Sequence, residues 1–240
     1  SFIVFFLLFL VLFFGIKSYN FQTYLGKLAT EFLSKELNNK ISIKRIEVDL
    51  FKKLHFKNVL VLDQKSDTIV CGNNTTHIKN FDYQNKKIVI DNLVLDNLNS
   101  KIISYKNEKG LNIDFLINYF NGDQTTIKKN NSQKWEFTLN EIILNNAKFT
   151  YRDEHKNTQI SENINYNNLV FKNTYGKLSN IKFDDDIIQT TISNFKTTEQ
   201  CGFTLNKLNV TTKLSSVECL LTNLDLSTDS SLIKGNIEFA

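Results

Sequence analysis

The chain has 240 residues, a formal net charge of +4 and a hydrophobic content of 41%, enough apolar mass for a core. Its lysines are spread evenly rather than gathered in one patch, which argues against a dedicated nucleic-acid surface. Proline is absent and glycine scarce, so no linker divides the chain and one continuous sheet is expected rather than two domains. Cys71, Cys201 and Cys219 form neither a paired framework nor a C-x-x-C motif; isolated thiols are expected, with a Cys201–Cys219 bridge the one pairing considered.

Ser1–Ile16, SFIVFFLLFLVLFFGI, carries no charge. It is short for a spanning helix of about twenty residues and long for a signal-peptide core. No small-x-small cleavage site follows, and Lys17, Tyr19 and Tyr24 suit a membrane–water interface. Residues 1–17 are therefore predicted to be a retained signal anchor, with Phe2, Phe5, Phe6, Leu8, Leu10, Leu12 and Phe14 in the lipid. A cleaved signal peptide and a buried core helix are the alternatives. The chain begins with Ser rather than Met and stops inside a strand pattern, so a fragment of a longer protein is expected.

Residues 18–39 are predicted to be a short amphipathic helix. Phe21, Leu25, Leu28, Phe32 and Leu37 share one face, opposite Thr23, Lys27, Glu31 and Lys35. Such a helix caps the open end of a sheet or lies on a membrane; capping is the commoner use.

From residue 40 the chain reads as strand after strand to residue 240, interrupted by a short helix at 113–120 and a polar, flexible loop at 121–134. One pattern recurs: apolar residues at i and i+2, a polar pair, then apolar residues at i+5 and i+7. It appears at Ile41/Ile43/Ile46/Val48, Leu54/Phe56/Val59/Val61, Ile88/Ile90/Leu93/Leu95, Phe137/Leu139/Ile142/Leu144, Ile164/Tyr166/Leu169/Phe171, Phe203/Leu205/Leu208/Val210 and Cys219/Leu221/Leu224/Leu226. Period two marks a strand with one buried face. The step from i+2 to i+5 would flip the face unless one extra residue is absorbed as a β-bulge, which also bends the strand. A two-residue turn at the polar pair is the alternative. No fixed repeat of 20–50 residues is expected.

The search for chemistry yields no case for an enzyme, a metal or a cofactor. His55, His77 and His155 stand far apart without metal-ligand spacing. Asp184-Asp185-Asp186 lacks the spacing and glycine of a calcium loop and reads as a solvated turn. Gly26-Lys27 and Gly176-Lys177 lack the lead-in of a phosphate loop, and no serine sits in a nucleophile elbow. A long sheet with one apolar face must bury it against something. Helices are few, so the cover is a second sheet, the same sheet curled over, or a ligand. A curled sheet open along one side would hold acyl chains at about 0.8 kcal/mol per buried CH₂.

Three stretches, YLGKLATEFLSKELNNKISIKRIEVDLFKKLHFKNVLVLDQKSDTIV, NKKIVIDNLVLDNLNSKIISYKNEKGLNIDFLINYF and WEFTLNEIILNNAKFTYRDE, resemble the start of the AsmA/TamB family of envelope proteins, particularly its large Bacteroidota members. The likeness lies in the helix Tyr24–Leu37 leading into Ile41–Asp49, the D-Q-x-x-D-T turn at Asp63–Thr68 and the helix at Asp114–Phe120; beyond about Glu154 it is pattern only. The resemblance implies a single-pass inner-membrane protein with its bulk in the periplasm. It implies a mainly β fold, an elongated, curled antiparallel sheet forming an open, taco-like groove, that carries phospholipids between the inner and outer membranes. It also implies an alternative role in outer-membrane protein assembly with a TamA/Omp85-type partner, although the C-terminal region that meets that partner is absent here. No catalytic residue carries over.

On the conduit reading, the lipid path is lined by Ile88, Ile90, Leu93, Leu95, Phe137, Leu139, Ile142, Leu144, Phe203, Leu205, Leu208 and Val210. On the assembly reading the same residues are only a core. An ordinary sandwich on a membrane stalk is the third possibility.

Overall fold

The structure, a computed structural model, describes residues 17–49, 53–82, 84–121, 136–156, 158–159, 162–184, 187–215 and 217–239. The predicted anchor, Ser1–Ile16 with its seven named apolar residues, lies outside these, as do residues 122–134 of the predicted loop and Asp185-Asp186 of the acidic run. No helix among the described residues is long and apolar enough to cross a membrane.

The described chain is mainly β. Helix α1 (Tyr19–Glu36) precedes β1 (Ile41–Val48), β2 (Lys53–Leu62), β3 (Thr68–Asp82) and β4 (Lys87–Ser104). Helix α2 (Asp114–Asn121) follows, then β5 (Glu136–Asp153), β6 (Asn168–Asp184), β7 (Ile187–Glu199), β8 (Thr204–Leu214), β9 (Cys219–Thr228) and β10 (Leu232–Phe239). The strands form one sheet in chain order, β1 to β10, open at both edges and curled.

Helix α1 begins at Ser18, whose hydroxyl accepts the Phe21 N–H, and it runs beside the outer edge of β1. Thr30 Oγ1 accepts the Ile43 N–H at 2.8 Å and donates to the Ile43 carbonyl at 3.4 Å. Ser34 does the same for Ile41, at 3.2 and 3.1 Å. Residues four apart on a helix are about 6 Å apart along its axis, close to the two-residue step of a strand, so the two hydroxyls match successive edge groups. One turn earlier, a Cβ at Gly26 would stand 2.8 Å from the Ile43 carbonyl, so only glycine admits this approach. Gln22, Gly26, Thr30 and Ser34 thus form a small polar line that stands in for an eleventh strand. Beside it, Leu25, Ala29, Leu33 and Leu37 pack on Ile41, Ile43 and Ile46.

This corrects the expected helix face. Leu25 and Leu37 do pack on the sheet, but Phe21, Leu28 and Phe32 are exposed. The apolar arc of α1 spans half its circumference, and the polar line against β1 turns only one side of that arc inward.

The recurring polar pairs are largely bulges. In β2 the register slips between Phe56 and Val59, with Asn58 left-handed; in β9 it slips around Asn223, also left-handed. In β8 the extra residue falls at Asn206-Lys207, and in β4 at Asp91. Two windows differ. β1 pairs with β2 without a break, and Ile164–Phe171 contains a turn closed by Asn168 N–H to Asn165 C=O, with Tyr166 exposed.

Two further corrections concern topology. The sequence pattern reads as separate strands at Thr68–Cys71 and His77–Tyr83, at Lys87–Leu95 and Lys101–Tyr105, and at Trp135–Leu144 and Ala147–Arg152. The structure runs through the Asn-rich stretch between the members of each pair, so that β3, β4 and β5 reach 15, 18 and 18 residues. Asparagine tolerates the left-handed conformation and keeps the ladder going past it. The sheet is also not wholly antiparallel: β4 and β5 pair in parallel, in unbroken register at an offset of 49 residues. The intervening 105–135 is long enough for the crossover a parallel pair needs.

Candidate functional site

The cross-strand partners extend the apolar pattern into rows that run across the sheet. Val48, Leu54, Thr76, Leu93, Ile142, Leu178, Ile192 and Val210 are successive partners from β1 to β8. A second row runs Ile46, Phe56, Asn74, Leu95, Leu144 and Gly176. It resumes at Phe195, which lies over Gly176, and continues through Leu208 and Leu226 to Ile233. Residues directly opposite one another share a face, so both rows lie on one side of the sheet. Val61 and Val70 link this side to the face covered by α1, since Ile41, Val61 and Val70 are also successive partners.

A line of left-handed asparagines crosses the sheet at one level: Asn58, Asn97, Asn146, Asn194 and Asn223, with φ of 50–55°. The next strand receives each bulge. Asn73, Asn209 and Asn236 accept the N–H of Asn58, Asn194 and Asn223 through their side-chain oxygens at 2.7–2.9 Å. Between β4 and β5 the same level is tied by Asn145 to Asp96 at 2.8 Å and Asn146 to Asn97 at 2.7 Å. Opposite a bulge the partner strand is small: added Cβ atoms at Gly72 and Gly176 would lie 3.1 Å from Leu98 Cα and 2.8 Å from Phe195 Cδ2. Because each bulge restores the face, Leu95 with Leu98 and Leu144 with Ala147 fall in one cluster, joined by Val70, Ile142, Phe149, Leu178 and Phe195. Aligned bulges bend every strand at the same level, which is how a single sheet curls.

Of the twelve residues predicted to line the path, Ile88, Ile90, Leu93, Leu95, Leu139, Ile142, Leu144, Leu205, Leu208 and Val210 lie on this face by register. Phe137 pairs with Ile88, and Phe203 sits exposed in the turn before β8. The reading missed Leu178, Ile192 and Phe195, because neither β6 beyond Phe171 nor β7 carries a window of the recurring pattern. Leu144 and Val210 are buried, but most of the face is only half-buried. Among the described residues no second sheet or helix covers it beyond α1.

Charge is kept off these rows. Ion pairs Lys177–Glu141, Lys207–Asp225 and Lys87–Glu136 join neighbouring strands, at positions that alternation places on the opposite side. Buried threonines on the apolar side turn their hydroxyls to protein: Thr174 and Thr197 bond each other at 2.7 Å, and Thr212 bonds the Thr190 carbonyl.

At one rim the Asp63–Asp67 turn is clamped to β4. Buried Asp63 accepts the Lys65 and Asp67 N–H groups at 2.9 and 2.8 Å, and the Tyr105 hydroxyl lies 2.6 Å from Asp63 and 2.7 Å from Asp67. Burial alone would raise the Asp63 carboxyl, but the hydrogen bonds from Tyr105, Asp67, Asn112 and Lys65 outweigh it and hold it below its ordinary value. Burial and the two carboxylates push the Tyr105 phenol far up, so it serves as a fixed donor. At the other turn, burial opposes but hydrogen bonds from Cys201 and Val170 prevail in keeping buried Glu199 ionised.

The histidines are dispersed: His55 meets Thr75 at 3.0 Å, His77 meets Asp91 at 3.4 Å and His155 meets Asp153 at 3.0 Å. Among the described residues no group of His, Cys, Asp and Glu is placed to hold a metal, and Cys71, Cys201 and Cys219 are free thiols.

No family model matches the chain, and no curated protein matches it.

Proposed function

We propose that the protein is an inner-membrane-anchored periplasmic groove, of the AsmA/TamB kind, that holds phospholipid acyl chains along its apolar face and carries them between the inner and outer membranes. The observation that carries this reading is an apolar face, free of ionisable residues along both rows, that crosses the sheet and is left half-buried, with no second layer over it among the described residues. Contiguous apolar surface of this kind marks a site of interaction or ligand binding. Acyl chains fit it because their recognition needs no polar contact.

The scale agrees. Ten strands about 4.8 Å apart give a face roughly 43 Å across. One leaflet's tails span about 15 Å, half of the roughly 30 Å hydrocarbon core. The face therefore has room for more than one tail in succession, as a conduit requires.

Site-specific photocrosslinking tests this. With the protein in phospholipid vesicles, a crosslinker at Leu93 or Leu139 is expected to capture phospholipid, and one at Asp91 or Asn140, on the polar side, to capture none. Equal capture from both sides overturns the groove. On the assembly-factor reading the apolar face is only a core, and no lipid is captured at either pair of positions.

A further inference from the structure

Helix α1 has two apolar sides, and only one is used by the sheet. At 100° per residue, Leu25, Ala29 and Leu33 occupy the side that packs on β1, while Phe21, Tyr24, Leu28 and Phe32 form an adjoining stripe about 80° wide. These four are 39%, 56%, 43% and 50% exposed, although Gln22 and Gly26 of the same helix are buried. The hydroxyl bonds of Thr30 and Ser34 to β1 fix the helix's rotation, so the stripe cannot turn inward without breaking them. By the same rotation Lys35 falls within the stripe, between Tyr24 and Leu28, while Glu31 borders it and pairs with Lys27 at 3.9 Å; Lys17 stands just before the helix.

We infer that this stripe lies in the interface of a lipid bilayer, so that α1 seats the β1 end of the groove on the membrane surface. The inference rests on the membrane-anchored reading above. The occupant is argued from continuity and charge. The uncharged apolar segment Ser1–Ile16 ends two residues before the Ser18 cap, which places a bilayer, if that segment enters one, at the start of the helix. Aromatic and leucine side chains are what an interfacial helix presents to headgroups and the upper acyl region, and a long lysine side chain among them, Lys35, reaches the headgroups with its amine. The stripe adjoins the side of α1 that packs on Ile41, Ile43 and Ile46, where the apolar face of the sheet begins. A tail leaving the bilayer at α1 therefore meets apolar side chains on its way to the groove.

The test uses the full chain with Trp135→Phe, carrying a single tryptophan by Leu28→Trp or Lys27→Trp, reconstituted in phosphatidylcholine/phosphatidylglycerol vesicles with and without brominated acyl chains. The expected result is blue-shifted emission from Leu28→Trp, quenched at least twofold by the bromolipid, and red, unquenched emission from Lys27→Trp. Unquenched, red emission at both positions overturns the inference. So does blue emission at Leu28→Trp without quenching, which would mean that protein covers the stripe, a second copy included. Lipid retained by the chain alongside an unquenched Leu28→Trp removes the docking alone and leaves the groove reading standing.

Discussion

Each bulge depends on two residues, one that takes the left-handed conformation and one opposite that gives it room. At Asn194, φ is 50° and the N–H is held by Asn209. A β-branched residue is costly there, so Asn194→Val is expected to destabilise by about 1–2 kcal/mol, and Asn194→Gly far less. Across the ladder, Gly176→Ala drives a methyl into the Phe195 backbone and ring at 3.0 and 2.8 Å. A loss of about 1–3 kcal/mol is expected from such overpacking. Urea midpoints at constant m-value measure both. The rim clamp gives a pH dependence with a definite sign. Asp63 has its folded-state value below its ordinary 3.8, so its contribution is complete above that value and is lost as the pH falls through the lower folded one. In Asp63→Asn this acid-side slope should shrink, and acid titrations of urea stability that overlay for the two proteins would refute the clamp.

At the level of elements, α1 acts as a cap on an edge as well as a cover for a face. Thr30→Val with Ser34→Ala keeps the apolar packing but leaves the Ile41 and Ile43 edge groups without partners. We expect about 1–2 kcal/mol of destabilisation per substitution, together with self-association through the bared β1 edge, read by sedimentation velocity. A monomer of unchanged stability would mean that the hydroxyls are incidental. Much of this architecture was legible in the sequence. The i, i+2, i+5, i+7 pattern announced strands with a bulge, and Leu54–Val61 and Cys219–Leu226 carry it as read. Asn-rich pairs misled, because asparagine both ends strands and sustains bulges within them, and only neighbouring strands decide which. The direction of β5 was illegible, since alternation reads the same in parallel and antiparallel pairs. In α1, hydropathy defined an arc too broad to say which half packs, and the small polar line Gln22, Gly26, Thr30, Ser34 was the clue to its orientation.

On the scale of the whole molecule, aligned bulges turn ten strands into one curled layer whose apolar rows run across the strands rather than along them. The long axis of any bound chain would follow those rows, from α1 towards β10. A charge within the rows should obstruct this path and leave the sheet, most of whose pairing lies elsewhere, intact. Leu139→Asp places a carboxylate beside Ile90; the far-UV circular dichroism is expected to be unchanged while lipid occupancy falls. The most direct measurement is native mass spectrometry of the full chain released from mild detergent, with lipid extraction of the same sample. The account predicts several phospholipids per chain, and markedly fewer in Leu139→Asp. A lipid-free, compact, monomeric chain would contradict it, because the apolar face would then be closed by the protein itself.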